Sequence, residues 1–215
     1  MESNLYYNTI SIGLLDVLNR LMKMKEFANF RLVGGTALSL QLGHRMSEDI
    51  DLFSDIDYGT MDVNSITKIL EKNFEVTDYY DLMVVGNGRA YKVGKIKEKT
   101  IKVDVNYTDK FIFPEIVIDE IRMASLEEIT AMKMDIVLRG GRIKDFWDLH
   151  ELSEYFTFKQ MISFHDKRYH TSYPFKEWKS CFLDFTKADQ ETPPSCLRGK
   201  HWDLIRMDLK DFTEV

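Results

Sequence analysis

Leu32-Val33-Gly34-Gly35-Thr36-Ala37-Leu38 and, shortly after it, Ser47-Glu48-Asp49-Ile50-Asp51-Leu52-Phe53 are the stretches on which the fold turns. The first sets a glycine pair at the head of an apolar helix. The second alternates acid and hydrophobe, the period of a half-buried strand. Successive strand side chains point to opposite faces, so Asp49 and Asp51 share one face while Ile50 and Leu52 enter the layer behind it. Two carboxylates so placed suit divalent cations about 3.5–4 Å apart, the spacing that serves in-line phosphoryl chemistry. The glycines upstream bring backbone N–H groups and a helix N-terminus up to an anion. A phosphate cradle followed by a metal site is a layout suited to nucleotide-dependent transfer.

Outward from this pair, Leu14, Leu15, Leu18, Leu21 and Met22 recur at helical spacing and predict an amphipathic N-terminal helix. A short helix is expected over 36–42, ending near Gly43, and another over 62–70 with Asp62 or Asn64 as its cap. Residues 74–107 change to short alternating runs. Gly86-Asn87-Gly88, Val93-Gly94 and Glu98-Lys99 are turn signals there, predicting three or four antiparallel strands of which the last is 100–107. After Pro114 and a short apolar run the chain becomes helical. Ser125 and Glu128 form a capping box, each expected to satisfy the other's end of the helix. Helices are expected over 126–138, 143–156, 158–168, 174–186 and 201–212, with Pro193-Pro194 in a loop. The expected fold is α+β, a mixed α/β half over 1–123 followed by an all-helical half over 124–215.

A hydrophobic content of 44% over 215 residues is that of a packed globular chain, not a disordered one. No apolar run is long enough to span a bilayer, and the N-terminus lacks a basic-then-apolar export signal. A cytoplasmic location is therefore expected, with Cys181 and Cys196 as reduced thiols without metal-ligand spacing. The net charge of −6 argues against a protein that coats nucleic acid with a uniformly basic surface. It leaves room for a local groove: Arg89, Lys92, Lys95, Lys97, Lys99 and Lys102 face only Glu98 in the same segment. That segment reads equally as a solvated hairpin whose lysines protect an edge.

A third carboxylate lies in Lys102-Val103-Asp104-Val105-Asn106, where polar and apolar residues alternate again. Aspartate is disfavoured in mid-strand, which makes Asp104 informative. If its strand lies beside Asp49–Asp51, three aspartates converge, and only cations would let them stay ionised together. Magnesium suits such oxygen ligands, and Asp104 is also a candidate base for an attacking hydroxyl. Standing alone it would be a surface aspartate. Lys133 falls within the apolar stripe Leu126, Ile129, Val137 and needs an anion there, either a triphosphate or an aspartate, unless it reaches solvent. Asp145 and Asp148, three apart on a helix, share a face and can orient Lys133 or Arg142. Asp148 reads equally as an acid favoured near a helix N-terminus.

Together, Gly34-Gly35-Thr36-Ala37-Leu38, Gly43-His44-Arg45, Ser47, Asp49-Ile50-Asp51-Leu52-Phe53, Asp104, Lys133 and Arg142-x-Lys144-Asp145-x-x-Asp148-Leu149 resemble the AbiEii/AbiGii toxin-type nucleotidyltransferases of the DNA-polymerase-β-like superfamily. The resemblance covers about residues 30–152. It implies a bilobed fold, a nucleotidyltransferase sheet followed by a helical lobe, and transfer of NMP from an NTP such as ATP. Asp49, Asp51 and Asp104 would hold two Mg²⁺ ions. Gly34, Gly35 and Thr36 would contact the triphosphate, Lys133 and Arg142 would reach the nucleotide's phosphates or leaving group, and Asp145 would complete the helical-lobe motif. Members are toxins of bacterial type IV toxin–antitoxin and phage-abortive-infection systems, some of them modifying tRNA ends. An RNA acceptor and a cognate antitoxin partner are thus implied. This chain has Gly35-Thr36 where the superfamily usually has Gly-Ser, and the hydroxyl is kept. Beyond Tyr155 the resemblance identifies no motif, so the acceptor is expected to be chosen there and along the basic hairpin. A small-molecule or protein acceptor is the alternative, and a non-catalytic nucleotide-binding module a third reading, which predicts a lost metal ligand.

Overall fold

The stripe of Leu14, Leu18, Leu21 and Met22 becomes the buried face of α1 (Ile12–Lys23), the first helix of a computed structural model that describes residues 5–81 and 88–214. Ser11 starts it by accepting the Leu14 amide hydrogen bond. There follow β1 (Arg31–Leu32), α2 (Gly34–Leu42), β2 (Asp49–Ser54) and α3 (Val63–Asn73). Of the two expected caps for α3 it is Asp62 that serves, its carboxylate accepting from the Ser65 amide at 2.9 Å. Gly43 ends α2 in the left-handed conformation expected of a glycine past a helix end.

Residues 74–107 yield three strands, β3 (Val76–Asp81), β4 (Gly88–Gly94) and β5 (Ile101–Tyr107), antiparallel to one another. Gly86 and Asn87 of the expected turn lie outside the described residues. One strand pair had no signal. After Pro114 the apolar run is β6 (Glu115–Ile118), which folds back on β7 (Ile121–Ala124) through Asp119 and Glu120, both with positive φ. Such a two-residue turn normally announces itself by glycine or asparagine, and Asp-Glu does not.

The seven strands order as β3-β4-β5-β2-β1-β7-β6. β5 joins β2 in parallel and β7 joins β1 in parallel, so the sheet is mixed. Alternation does what the sequence predicts: Ile50, Leu52, Val103 and Val105 are fully buried on one face, and the aspartates lie on the other.

The helical half is α4 (Leu126–Leu138), α5 (Ile143–Leu152), α6 (Phe158–Tyr169), α7 (Phe175–Phe182) and α8 (Trp202–Phe212). α4 packs on α6 and α5, and both α4 and α5 also touch α2 from the sheet half. One core therefore runs from Leu14 through Leu38 and Met134 to Leu209. Ser125 caps α4, but Glu128 does not return the favour as expected. Its carboxylate accepts instead from the Ile112 and Phe113 amides at 3.0 and 2.8 Å and pairs with Arg168. Burial explains the choice: with its side chain fully enclosed, Glu128 needs a cation, which the cap would not supply. Cys181 and Cys196 are free. Among the described residues no helix is long and apolar enough to cross a membrane.

Candidate active site

In the parallel register of β2 on β5, Asp51 stands opposite Asp104, Asp49 opposite Lys102 and Phe53 opposite Asn106. The three aspartates therefore share one face over two adjacent strands, about 4.8 Å apart. Asp49 and Asp51 line a cavity of about 340 Å³ between the sheet and the helical half. Asp104 is beside Asp51 on the next strand, with one carboxylate oxygen bonded to Lys102 and the other, Oδ1, buried with no hydrogen-bond partner. Burial, then repulsion from Asp104 and Asp49, pushes the Asp51 carboxyl up to about 6, with Lys102 and Lys133 acting against the rise. Among the described residues no three His, Cys, Asp or Glu side chains form a ready-made metal cage.

Gly34 and Gly35 form the cavity wall facing the aspartates, at the N-terminus of α2. Gly34 has φ +67, and a Cβ there would come within 2.7 Å of Asp51 Oδ2. Only glycine brings the backbone this close without strain. A Cβ on Gly35 would strike the Arg45 guanidinium. Thr36 is different from what the resemblance implies: it is buried, its hydroxyl bonding Ser47 Oγ at 2.8 Å and donating to the Asp49 carbonyl. It ties the glycine turn to the start of β2 and does not line the cavity.

The helical half contributes a buried charge network. Asp148 accepts from Arg45 Nε and Nη2 at 2.7 and 2.8 Å, from Lys133 at 2.7 Å, and bonds His44 Nε2 at 2.8 Å. Asp145 bonds Lys133 at 2.6 Å and takes the Arg142 backbone N–H and side-chain Nε at 3.1 Å each. Of the two anions the sequence allowed for Lys133, the aspartates hold it. Burial opposes ionisation of both acids, but the attraction of Arg45 and Lys133 for Asp148, and of Lys133 and Arg142 for Asp145, outweighs it. Asp148 ends well below the ordinary carboxylate range and Asp145 below it. Asp148 is thus the hub of the network and not merely a helix-end acid. Arg45 and His44, which the sequence reading quoted in the resemblance without giving them a role, are its partners.

The cavity wall also includes Phe53, Thr108, Ile129, Met132, Ile136 and Tyr169, with Asp135, Arg139, Arg142 and Lys144 among them. Sequence reasoning named none of the apolar members as site residues, because they come from β2, α4 and α6, which only the fold brings together. Of the basic hairpin, Arg89 bonds Thr67 and stacks over Tyr79, and Lys102 serves Asp104. Lys92, Lys95, Lys97 and Lys99 remain exposed.

Residues 16–207 match the family described as nucleotidyl transferase AbiEii toxin, type IV toxin–antitoxin system. In fold the chain is similar to MenT4, a nucleotidyltransferase toxin from Mycobacterium tuberculosis H37Rv, with TM-score 0.61, 15% identity and coverage of 93% of this chain and 82% of that one. It is similar also to a protein from H. pylori described as a nucleotidyltransferase (TM-score 0.59, 19% identity, 93% and 91% covered) and to JHP933 from Helicobacter pylori (0.55, 20%, 93% and 88%). Comparison with curated proteins finds no match.

Proposed function

From the premise that this chain belongs to the AbiEii nucleotidyl transferase toxin family and so is a nucleotidyltransferase, we propose that it transfers NMP from an NTP to an acceptor hydroxyl in the cavity between sheet and helical half. One observation carries the reading: Asp49 and Asp51 share a cavity wall with the Gly34–Gly35 helix start, so carboxylates and anion-binding amides face the same space. Residues 1–123 would carry the chemistry and 124–215 close over the nucleotide.

The residues present fit magnesium. Asp49 and Asp51 offer hard oxygen donors, Asp104 Oδ1 is a buried acceptor with nothing to accept from, and the repulsion that lifts Asp51 is what a cation relieves. Bound between these carboxylates, Mg²⁺ supplies charge neutralisation for the phosphates and activation of the attacking hydroxyl. The protein's own groups do the rest. The amides at the head of α2 hold phosphate oxygens, and Arg142 reaches the cavity to meet the nucleotide. Lys133 acts through Asp145 and Asp148, tying α5 to α4 beside the cavity. Asp104 would share in holding the cation through its free oxygen, Oδ1, beside Asp51.

The acceptor we propose is RNA, with the exposed Lys92, Lys95, Lys97 and Lys99 as its electrostatic approach. With NTP and RNA as substrates the protein would act in the cytoplasm, as the toxin to an antitoxin partner. The test uses each α-labelled NTP with Mg²⁺ and total bacterial RNA, beside Asp51→Asn. Label entering RNA with the intact protein and not with Asp51→Asn supports the reading. Label entering cytosolic protein or a small molecule instead replaces the acceptor, and full transfer by Asp51→Asn overturns the mechanism.

A further inference from the structure

Five cations line the cavity, and four are already engaged. Arg45 is clamped by Asp148, Lys133 by Asp145 and Asp148, Arg139 by Asp135, and Arg142 by Asp145. The fifth is Lys144. Among the described residues it makes no hydrogen bond or ion pair.

Its position is a costly one. Lys144 lies in the first turn of α5, the positive end of the helix dipole, where an acid is normally favoured. It is partly buried, with Arg142, Lys133 and Arg45 near enough to repel it and only Asp49 drawing the other way. Burial and those three cations hold its ammonium below the ordinary lysine value. A lysine so placed needs an anion. No carboxylate among the described residues forms an ion pair with it, and the space it faces is the cavity wall of Gly34, Gly35, Asp49 and Asp51.

We infer that Lys144 is the nucleotide's principal polyphosphate ligand, donating to the β,γ-phosphates and to the pyrophosphate that leaves, in the role that sequence alone suggests for Lys133. Lys133 is the weaker candidate because its ammonium already serves two carboxylates that need it. To reach a phosphate it would have to abandon Asp145 or Asp148 in the interior, a large penalty. Lys144 abandons nothing. Its ammonium gains an anion where it had three cations, so its attraction to polyphosphate is strengthened by the relief of that repulsion.

The inference rests on the nucleotide-transfer reading, and the experiment separates the two. Binding of each NTP, of inorganic pyrophosphate and of the corresponding NMP is measured calorimetrically with Mg²⁺ for the full chain, Lys144→Ala and Lys144→Arg, with thermal melting as the check on folding. Loss of one charge-assisted contact predicts NTP and pyrophosphate binding weakened on the order of 10–100-fold in Lys144→Ala. NMP binding should change less than threefold, Lys144→Arg should recover most of the loss, and the KM for NTP should rise more than kcat falls. Equal NTP binding by Lys144→Ala and the unaltered chain overturns the role of Lys144 and leaves the transfer reading standing. Equal weakening of NMP and NTP also overturns it, since that is the signature of a distorted cleft. No binding of any NTP by the unaltered chain overturns the transfer reading and this inference with it.

Discussion

Asp51 is a residue working against the stability of its own fold. Half-enclosed between Asp49 and Asp104, its carboxyl is pushed up to about 6, so at neutral pH its ionised form costs stability. Asp51→Asn removes that repulsion while keeping size and shape. The expected outcome at pH 7.5 without metal is a gain of roughly 1–3 kcal/mol, read by urea unfolding, together with loss of transfer. Added Mg²⁺ should raise the melting temperature of the unaltered protein and not of the variant; equal shifts in both would remove these carboxylates from metal binding. Gly34 is constrained twice over, by φ +67 and by Asp51 Oδ2 only 2.7 Å from where a Cβ would lie. Gly34→Ala should cost about 1–3 kcal/mol from the backbone alone. Its loss of transfer should exceed what the fraction unfolded explains, because the methyl displaces the Asp51 carboxylate, which the proposed mechanism uses.

At the scale of elements, α5 is fastened to the glycine turn by charge. Arg45 and His44 reach Asp148 across the boundary between sheet half and helical half, and Lys133 of α4 joins both acids of α5. Removing one member leaves buried charges unmatched, so Asp148→Ala should lose about 3–5 kcal/mol. A double variant with Arg45→Met should lose less than the two single losses added, because one deletion relieves what the other exposes. Additive losses would mean that Arg45 and Asp148 do not share a network. Elsewhere Glu128 and Arg168 join α4 and α6 to the segment after β5, Arg168 also bonding Thr108 Oγ1 at 2.6 Å and the Lys110 carbonyl at 3.1 Å. Thr108 and Tyr169 are both in the cavity wall. The limits of α4 were legible in the sequence, since Ser125 and the apolar stripe are local. The partner of Glu128 was not, because it sits forty residues away in α6. The β6–β7 hairpin was missed for the opposite reason: it is local, but its turn residues carry no distinctive chemistry.

The whole molecule holds its site together through its tail. Residues after Pro193-Pro194 return to the segment between α2 and β2, the Met46 amide donating to the Ser195 carbonyl and the Leu197 amide to the His44 carbonyl, both at 2.9 Å. Arg198 then reaches Glu151 of α5 at 2.6 Å and the Leu42 carbonyl at the end of α2. Acid should loosen this assembly in a definite window. Asp145 and Asp148 have folded pKa values below those of the unfolded chain. Their contribution is therefore complete above the ordinary carboxylate value, about pH 4, and is lost as the pH falls below it through the folded values. The urea midpoint of the unaltered protein should fall steeply below about pH 4, and that of an Asp145→Asn, Asp148→Asn double variant less steeply. From the sequence by itself came the half-buried strands, the glycine-led helix, the capped α4 and the aspartates on one strand face, because each depends on residues within a turn or two of one another. Only the tertiary structure decided that Asp104 would neighbour Asp51, that Lys133 would be held by aspartates and Lys144 left without a partner among the described residues, and which apolar side chains would line the cavity. Those outcomes depend on which distant groups meet in a space that excludes water, where an unmatched charge is expensive and each pairing is settled by every other.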